Sequence, residues 1–323
     1  MWRSHKGLLC CIALALAGCE GKAKETMAEQ TGSAPRAMTG WQRIEALATP
    51  TVSAGPSNDL ERAVEIARAH QDDWRDLRGA YPPAPLAAYP QGAEAIEALH
   101  AWVAAKGGLP PPPKATELGR LTLGLHDVGL VAIESAADAS STAVSDGVYL
   151  ATRLVAEGRN VLEVQVGVSM LEDAKRKLRA LAGEAGSGAA ALATPAPDFV
   201  RILAAEALHS RRLHDFATSP EGRKELVELV KGMPGDTKRL LEGATGRTAM
   251  SMIPTDEEAA AMMQFWIAAL DGAQRGEPVA ATLERVRKAA DRAGPAKQTA
   301  VMIASMIEML KSSFERLNDP SAF

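Results

Sequence analysis

The chain has 323 residues, 46% of them hydrophobic and 24% charged, enough for one large core or two modest ones. Its formal charge of -4 argues against a protein that attracts nucleic acid or holds anionic lipid by charge. Aromatic residues make up only 4%, while Ala, Leu, Glu, Arg and Met abound. That balance favours helix over strand and predicts an all-α fold.

All three cysteines fall within residues 1–19, MWRSHKGLLCCIALALAGC. Arg3 and Lys6 form a basic head. Gly7 to Leu16 form an apolar run shorter than the roughly 20 residues a spanning helix needs. Leu16-Ala17-Gly18-Cys19 then resembles the lipobox of bacterial lipoprotein precursors. The resemblance implies that residues 1–18 are a signal peptide cleaved after Gly18, that the Cys19 sulfur carries a diacylglyceryl group, and that the new amino terminus is acylated. Each buried methylene of such chains contributes about 0.8 kcal/mol, so two or three chains anchor a protein lastingly. Cys10 and Cys11 would leave with the signal, as would Arg3 and Lys6, taking the formal charge from -4 to -6. The mature chain would then hold no free thiol and no disulfide, which suits an oxidising compartment. Glu20, next to the modified cysteine, resembles the enteric signal for outer-membrane delivery and implies a lipoprotein facing the periplasm. The alternative is an ordinary secretory signal in which Cys19 is incidental.

Residues 19–55 are polar and small with scattered Pro and Gly, and read as a lipidated N-terminus and flexible tether. Trp41 and Ile44 could dock on the body that follows. Ser57, Asn58 or Asp59 can cap a helix carrying Leu60, Ala63, Ile66, Ala67 and Trp74, ended before Tyr81-Pro82-Pro83. A second helix is expected from about Gly92 to Lys106, stopped by Gly107-Gly108 and by Pro110 to Pro113, a stiff extended spacer. From Thr116 to about Ala139 apolar residues cover more than one face, which predicts a helix at the centre of a bundle. Another is expected from Thr142 to Glu157. The stretch after Asn160 is ambiguous. Leu162, Val164, Val166, Val168 and Met170 alternate as in a strand, whereas Val161, Val164, Val168, Leu171, Leu178 and Leu181 align at helical spacing. No second strand is available for pairing, so helix is expected.

Gly183 to Pro197 is the strongest internal linker, leaving residues 56–323 as one bundle or as two halves, 56–182 and 197–323. Helices follow near 197–217 and 220–232. Thr255 and Glu258 form a capping box for an apolar helix through Phe265, Trp266, Ile267 and Leu270. Pro278 opens another, with Val279, Leu283, Val286 and Ala290 on one stripe. The last runs from about Ala296 to Leu317. Nine or ten helices are expected in all.

The usual catalytic motifs (GxSxG, HExxH, a P-loop, GxGxxG and paired CxxC) are absent, which argues against an enzyme. The tetrapeptide EALH occurs twice, at Glu97 to His100 and Glu206 to His209. Residues three apart share a helix face, and a Glu-x-x-His on each of two helices is half of a ferritin-like di-metal centre. Glu65, Glu134 and Glu163 are available as companions. The second copy is the better placed, on a stripe with Ile202, Leu213 and Phe216, where a buried carboxylate needs a partner. A polar contact at the edge of a helical core is the competing interpretation. His126 reads as a hydrogen-bonded core histidine. Met302, Met306 and Met309, and Met262 with Met263, read as core filling rather than as copper ligands. Arg211, Arg212 and His214 read as a solvated basic face with one salt bridge.

Together these features predict a membrane-anchored lipoprotein with a structural or partner-binding helical body. It would meet the bilayer through its acyl groups and would bind a periplasmic or outer-membrane protein, with no cofactor beyond the acyl groups and no nucleic acid. A metalloenzyme built on Glu97, His100, Glu206 and His209, and a carrier of an apolar ligand, are the alternatives.

Overall fold

A computed structural model describes residues 40–49, 55–78, 84–111, 117–136, 141–182, 198–232, 266–278, 281, 284–285, 288 and 297–319. Regular structure among these residues is helical throughout: α1 (Gly40–Ala48), α2 (Asn58–Ala69), α3 (Gln71–Arg78), a 3₁₀ turn (Leu86–Ala88), α4 (Gly92–Ala104), α5 (Leu118–Glu134), α6 (Thr142–Glu157), α7 (Val161–Ala182), α8 (Phe199–Thr218), α9 (Pro220–Gly232) and α10 (Lys297–Asn318). Residues 266–274 are also helical. No described helix is long and apolar enough to cross a membrane. The proposed lipidation site at Cys19, the linker at 183–197 and Met262 with Met263 lie outside the described residues.

The chain divides into two compact units, one made of residues 1–49 and 199–308, the other of residues 50–198 and 309–323. The second unit is built around α5, as its many-sided apolar pattern requires. From Leu118 to Ile133 twelve residues of α5 are buried, among them Leu125, Val128, Val131 and Ile133, and the helix packs against α2, α3, α4, α6 and α7. The alternating valines of 161–170 lie in α7. Val164, Val166, Val168 and Met170 are all buried there because α7 is enclosed by α5 and α6 on more than one side. Asn160 starts this helix by accepting the Glu163 N–H at Oδ1, 2.8 Å away. Two glycines bring the helices together. A Cβ on Gly167 would sit 2.7 Å from the Ala151 carbonyl oxygen, and one on Gly147 would sit 3.1 Å from the Gly129 oxygen. The C-terminal end of α10 is bound to α7 through Gln165 and Ser313, 3.1 Å apart, and by Lys175 Nζ donating to the Leu317 carbonyl.

The helix expected across residues 58 to 78 is two helices. His70 leaves helical geometry at φ -117° and ψ 20°. Its ring bonds Gln91 at 3.0 Å, and the chain re-enters a helix that buries Trp74, whose Nε1–H donates to the Pro90 carbonyl at 3.0 Å.

The first unit is organised on α8. Leu203, Ala204 and Ala207 pack with Trp266, Ala269 and Leu270, and with Ile44 and Ala48 of α1, into one apolar cluster. Ile44 is wholly buried, so residues 40–48 form a docked helix at the end of the stretch read as a tether. Charged contacts rim this helix. Arg43 bonds Asp271 at 2.7 Å, and Arg211 lies 4.8 Å from the centre of the Trp41 ring and 3.6 Å from Glu45.

Candidate functional site

Three groups of buried or half-buried polar side chains stand out among the described residues of the second unit. The first surrounds Arg78, the last residue of α3. Its guanidinium reaches Asp127 of α5 at 2.7 Å, with both side chains mostly buried. Two helical turns of α5 further on is Glu134, which faces Asp173 of α7 electrostatically. Burial pushes the carboxyls of Asp127, Glu134 and Asp173 above their ordinary range, and Arg78 opposes the shift at all three. Repulsion between Glu134 and Asp173 adds to the rise at Glu134, while Arg176 and Lys177 counter it. The Tyr89 hydroxyl is raised by burial and then by the Glu134 charge. His126, beside this group, is pushed down to about 4, first by burial and then by Arg78. A quarter of its side chain is still accessible, and its Nδ1 is 3.9 Å from Asp127. The expected hydrogen bond to a core histidine is therefore replaced by a longer contact next to a cation.

The second group caps and braces α7. Glu163, fully buried, accepts from the backbone N–H and the guanidinium of Arg159, and Arg159 also donates to the Pro110 carbonyl. On the preceding helix, α6, Arg153 pairs with Glu157 at 2.6 Å and lies 5.8 Å from the centre of the Tyr149 ring. Each charge in this group has an opposite neighbour, as burial demands.

The third group joins α4 to α6. His100 Nδ1 is 2.9 Å from Oδ2 of Asp146. The Asp146 side chain is 6% exposed and that of His100 is 58% exposed.

The four residues of the two EALH motifs thus lie in separate units. Glu97 is exposed on α4 one turn before His100. Glu206 and His209 are half-buried on α8, and neither is free. Of the companion glutamates, Glu65 is exposed, Glu134 belongs to the Arg78 group, and Glu163 is held by Arg159. Among the described residues no three His, Cys, Asp or Glu side chains converge as a metal centre. Met306 packs against the apolar cluster of α8, and Met309 is 38% exposed. The side chains of Met302 and His214 are outside the described set. Arg212 is exposed, whereas Arg211 stacks on Trp41. Sequence reasoning passed over Asp146, Arg78 and Asp127. Asp146 shares no motif with His100, and only its place among the buried positions of an amphipathic helix marked it. Comparison with protein-family models, with curated proteins and with solved structures finds no match to this chain.

Proposed function

We propose that this chain is a lipoprotein of the bacterial cell envelope, held by acyl groups on Cys19, with its helical body serving as a structural or partner-binding module. The order of residues 3–19 carries the proposal: a basic head, a short apolar run, then Leu16-Ala17-Gly18-Cys19. Glu20 extends it to the outer membrane and a periplasm-facing body. Ion pairs such as Arg78 with Asp127 and Arg159 with Glu163 brace the helical body, which suits a scaffolding or binding role. In cells supplied with a clickable palmitate analogue, the wild-type chain becomes labelled and partitions into the detergent phase. Cys19→Ser abolishes both. An unlabelled wild type, or an unaltered partition of Cys19→Ser, overturns the proposal.

A further inference from the structure

We infer that Glu97 and His100 form a surface half-site for a divalent transition metal such as zinc or nickel, with Asp146 as its positioning residue. The inference is independent of the envelope assignment. It starts from the His100–Asp146 contact of 2.9 Å. An ionised carboxylate can only accept, so the imidazole donates from Nδ1, and in the neutral ring Nε2 then carries the lone pair. Among the described residues His100 makes no other polar contact, and its side chain is 58% exposed. The ring is therefore fixed in tautomer and orientation by a buried anion, with its other nitrogen unused. Histidines that bind metals are held in this way, because the carboxylate raises the basicity of the ligating nitrogen and fixes its direction.

The second donor is Glu97, three residues earlier and on the same face of α4. It is exposed, and among the described residues it makes no hydrogen bond or close ion pair. The nearby cation Arg62 is bonded by Glu94 at 2.5 Å and feels the Glu97 charge only as a weaker, longer-range attraction. One imidazole nitrogen and one carboxylate oxygen suit the borderline metals zinc, nickel and cupric copper better than calcium or magnesium, which prefer an all-oxygen shell. Two protein donors leave the remaining positions of a tetrahedral or octahedral ion to water or to an outside ligand. This assigns the metal to the first EALH copy, the opposite of the preference drawn from the apolar stripe around the second.

The test is calorimetric titration of the full chain, freed of metal with a chelator, with zinc chloride and separately with nickel chloride. One metal per chain is expected. His100→Gln, which keeps a polar group opposite Asp146 but removes the imidazole, is expected to lose binding. Glu97→Gln is expected to weaken it about tenfold, and Asp146→Asn by 10- to 100-fold through disorder of the ring. Glu97→Gln alters an exposed side chain that makes no close contact, and circular dichroism verifies folding for His100→Gln and Asp146→Asn, which disturb the buried Asp146 contact. His209→Ala is expected to bind as the wild type does. Absence of zinc and nickel binding by the wild type, binding that survives His100→Gln, or an Asp146→Asn chain that is folded and binds with unchanged affinity overturns the inference. So does loss of binding on His209→Ala alone.

Discussion

At the scale of the residue, His126 gives the clearest link between packing and solution behaviour. Its folded-state value of about 4 lies below the ordinary 6.5. Below pH 6.5 the unfolded chain takes up a proton that folded His126 refuses, so its contribution to stability falls with pH until both states are protonated near pH 4. The shift corresponds to about 3 kcal/mol at most. Asp127, Glu134 and Asp173 have raised values and act with the opposite sign, since protonation in acid relieves their burial. Denaturant melts of wild type and His126→Gln at pH 7 and pH 4.5 separate the two effects, because the carboxylates are common to both chains. The wild type is expected to lose more stability than the variant over that interval, and an equal loss contradicts the assignment. Asp127→Ala at neutral pH removes the anion in contact with Arg78 in a mostly buried site and is expected to cost about 3 kcal/mol in the same melts. None of this was legible beforehand. His126 was singled out for its apolar neighbours on α5, but the cation beside it comes from α3, and only the fold brings the two together.

At the scale of the element, periodicity told most where helices are long. The bounds of α4, α6, α9 and α10 follow the glycine, proline and apolar signals closely. The valine alternation of α7 admitted a strand because a helix buried on several sides loses its polar stripe, which is the cue that separates the two periods. The break at His70 was invisible because it answers to Gln91 and Pro90, supplied from outside the helix. Glycine substitutions test the packing of these elements. Gly167→Ala places a methyl against the Ala151 carbonyl and is expected to destabilise by about 1–3 kcal/mol. Gly119→Ala meets nothing within 4 Å and is expected to be neutral or stabilising by up to about 1 kcal/mol. Thermal melts that rank the two in reverse contradict the packing described for α7. Docking of α1 is tested by Ile44→Ala, which removes a wholly buried side chain at a cost of about 2–5 kcal/mol. Hydrogen exchange is expected to quicken in α8, against which α1 packs, and unchanged exchange there contradicts the docking.

At the scale of the whole molecule, the helical class was legible because composition and pattern agreed across most of the chain. The assignment of α1 was not, since nine residues among small and polar neighbours stabilise a helix only when Ile44 and Ala48 find the apolar face of α8. The grouping of residues 1–49 with 199–308 depends on that same distant contact. The proposed role as an anchored module rests on Cys19, which lies outside the described residues. Intact-mass and peptide mass spectrometry of the protein extracted from its native membrane therefore tests the account most directly. The account predicts an N-terminal peptide that begins at Cys19 and carries a diacylglyceryl thioether and an amide-linked acyl chain. A mature chain that begins elsewhere, or that carries an unmodified Cys19, contradicts it.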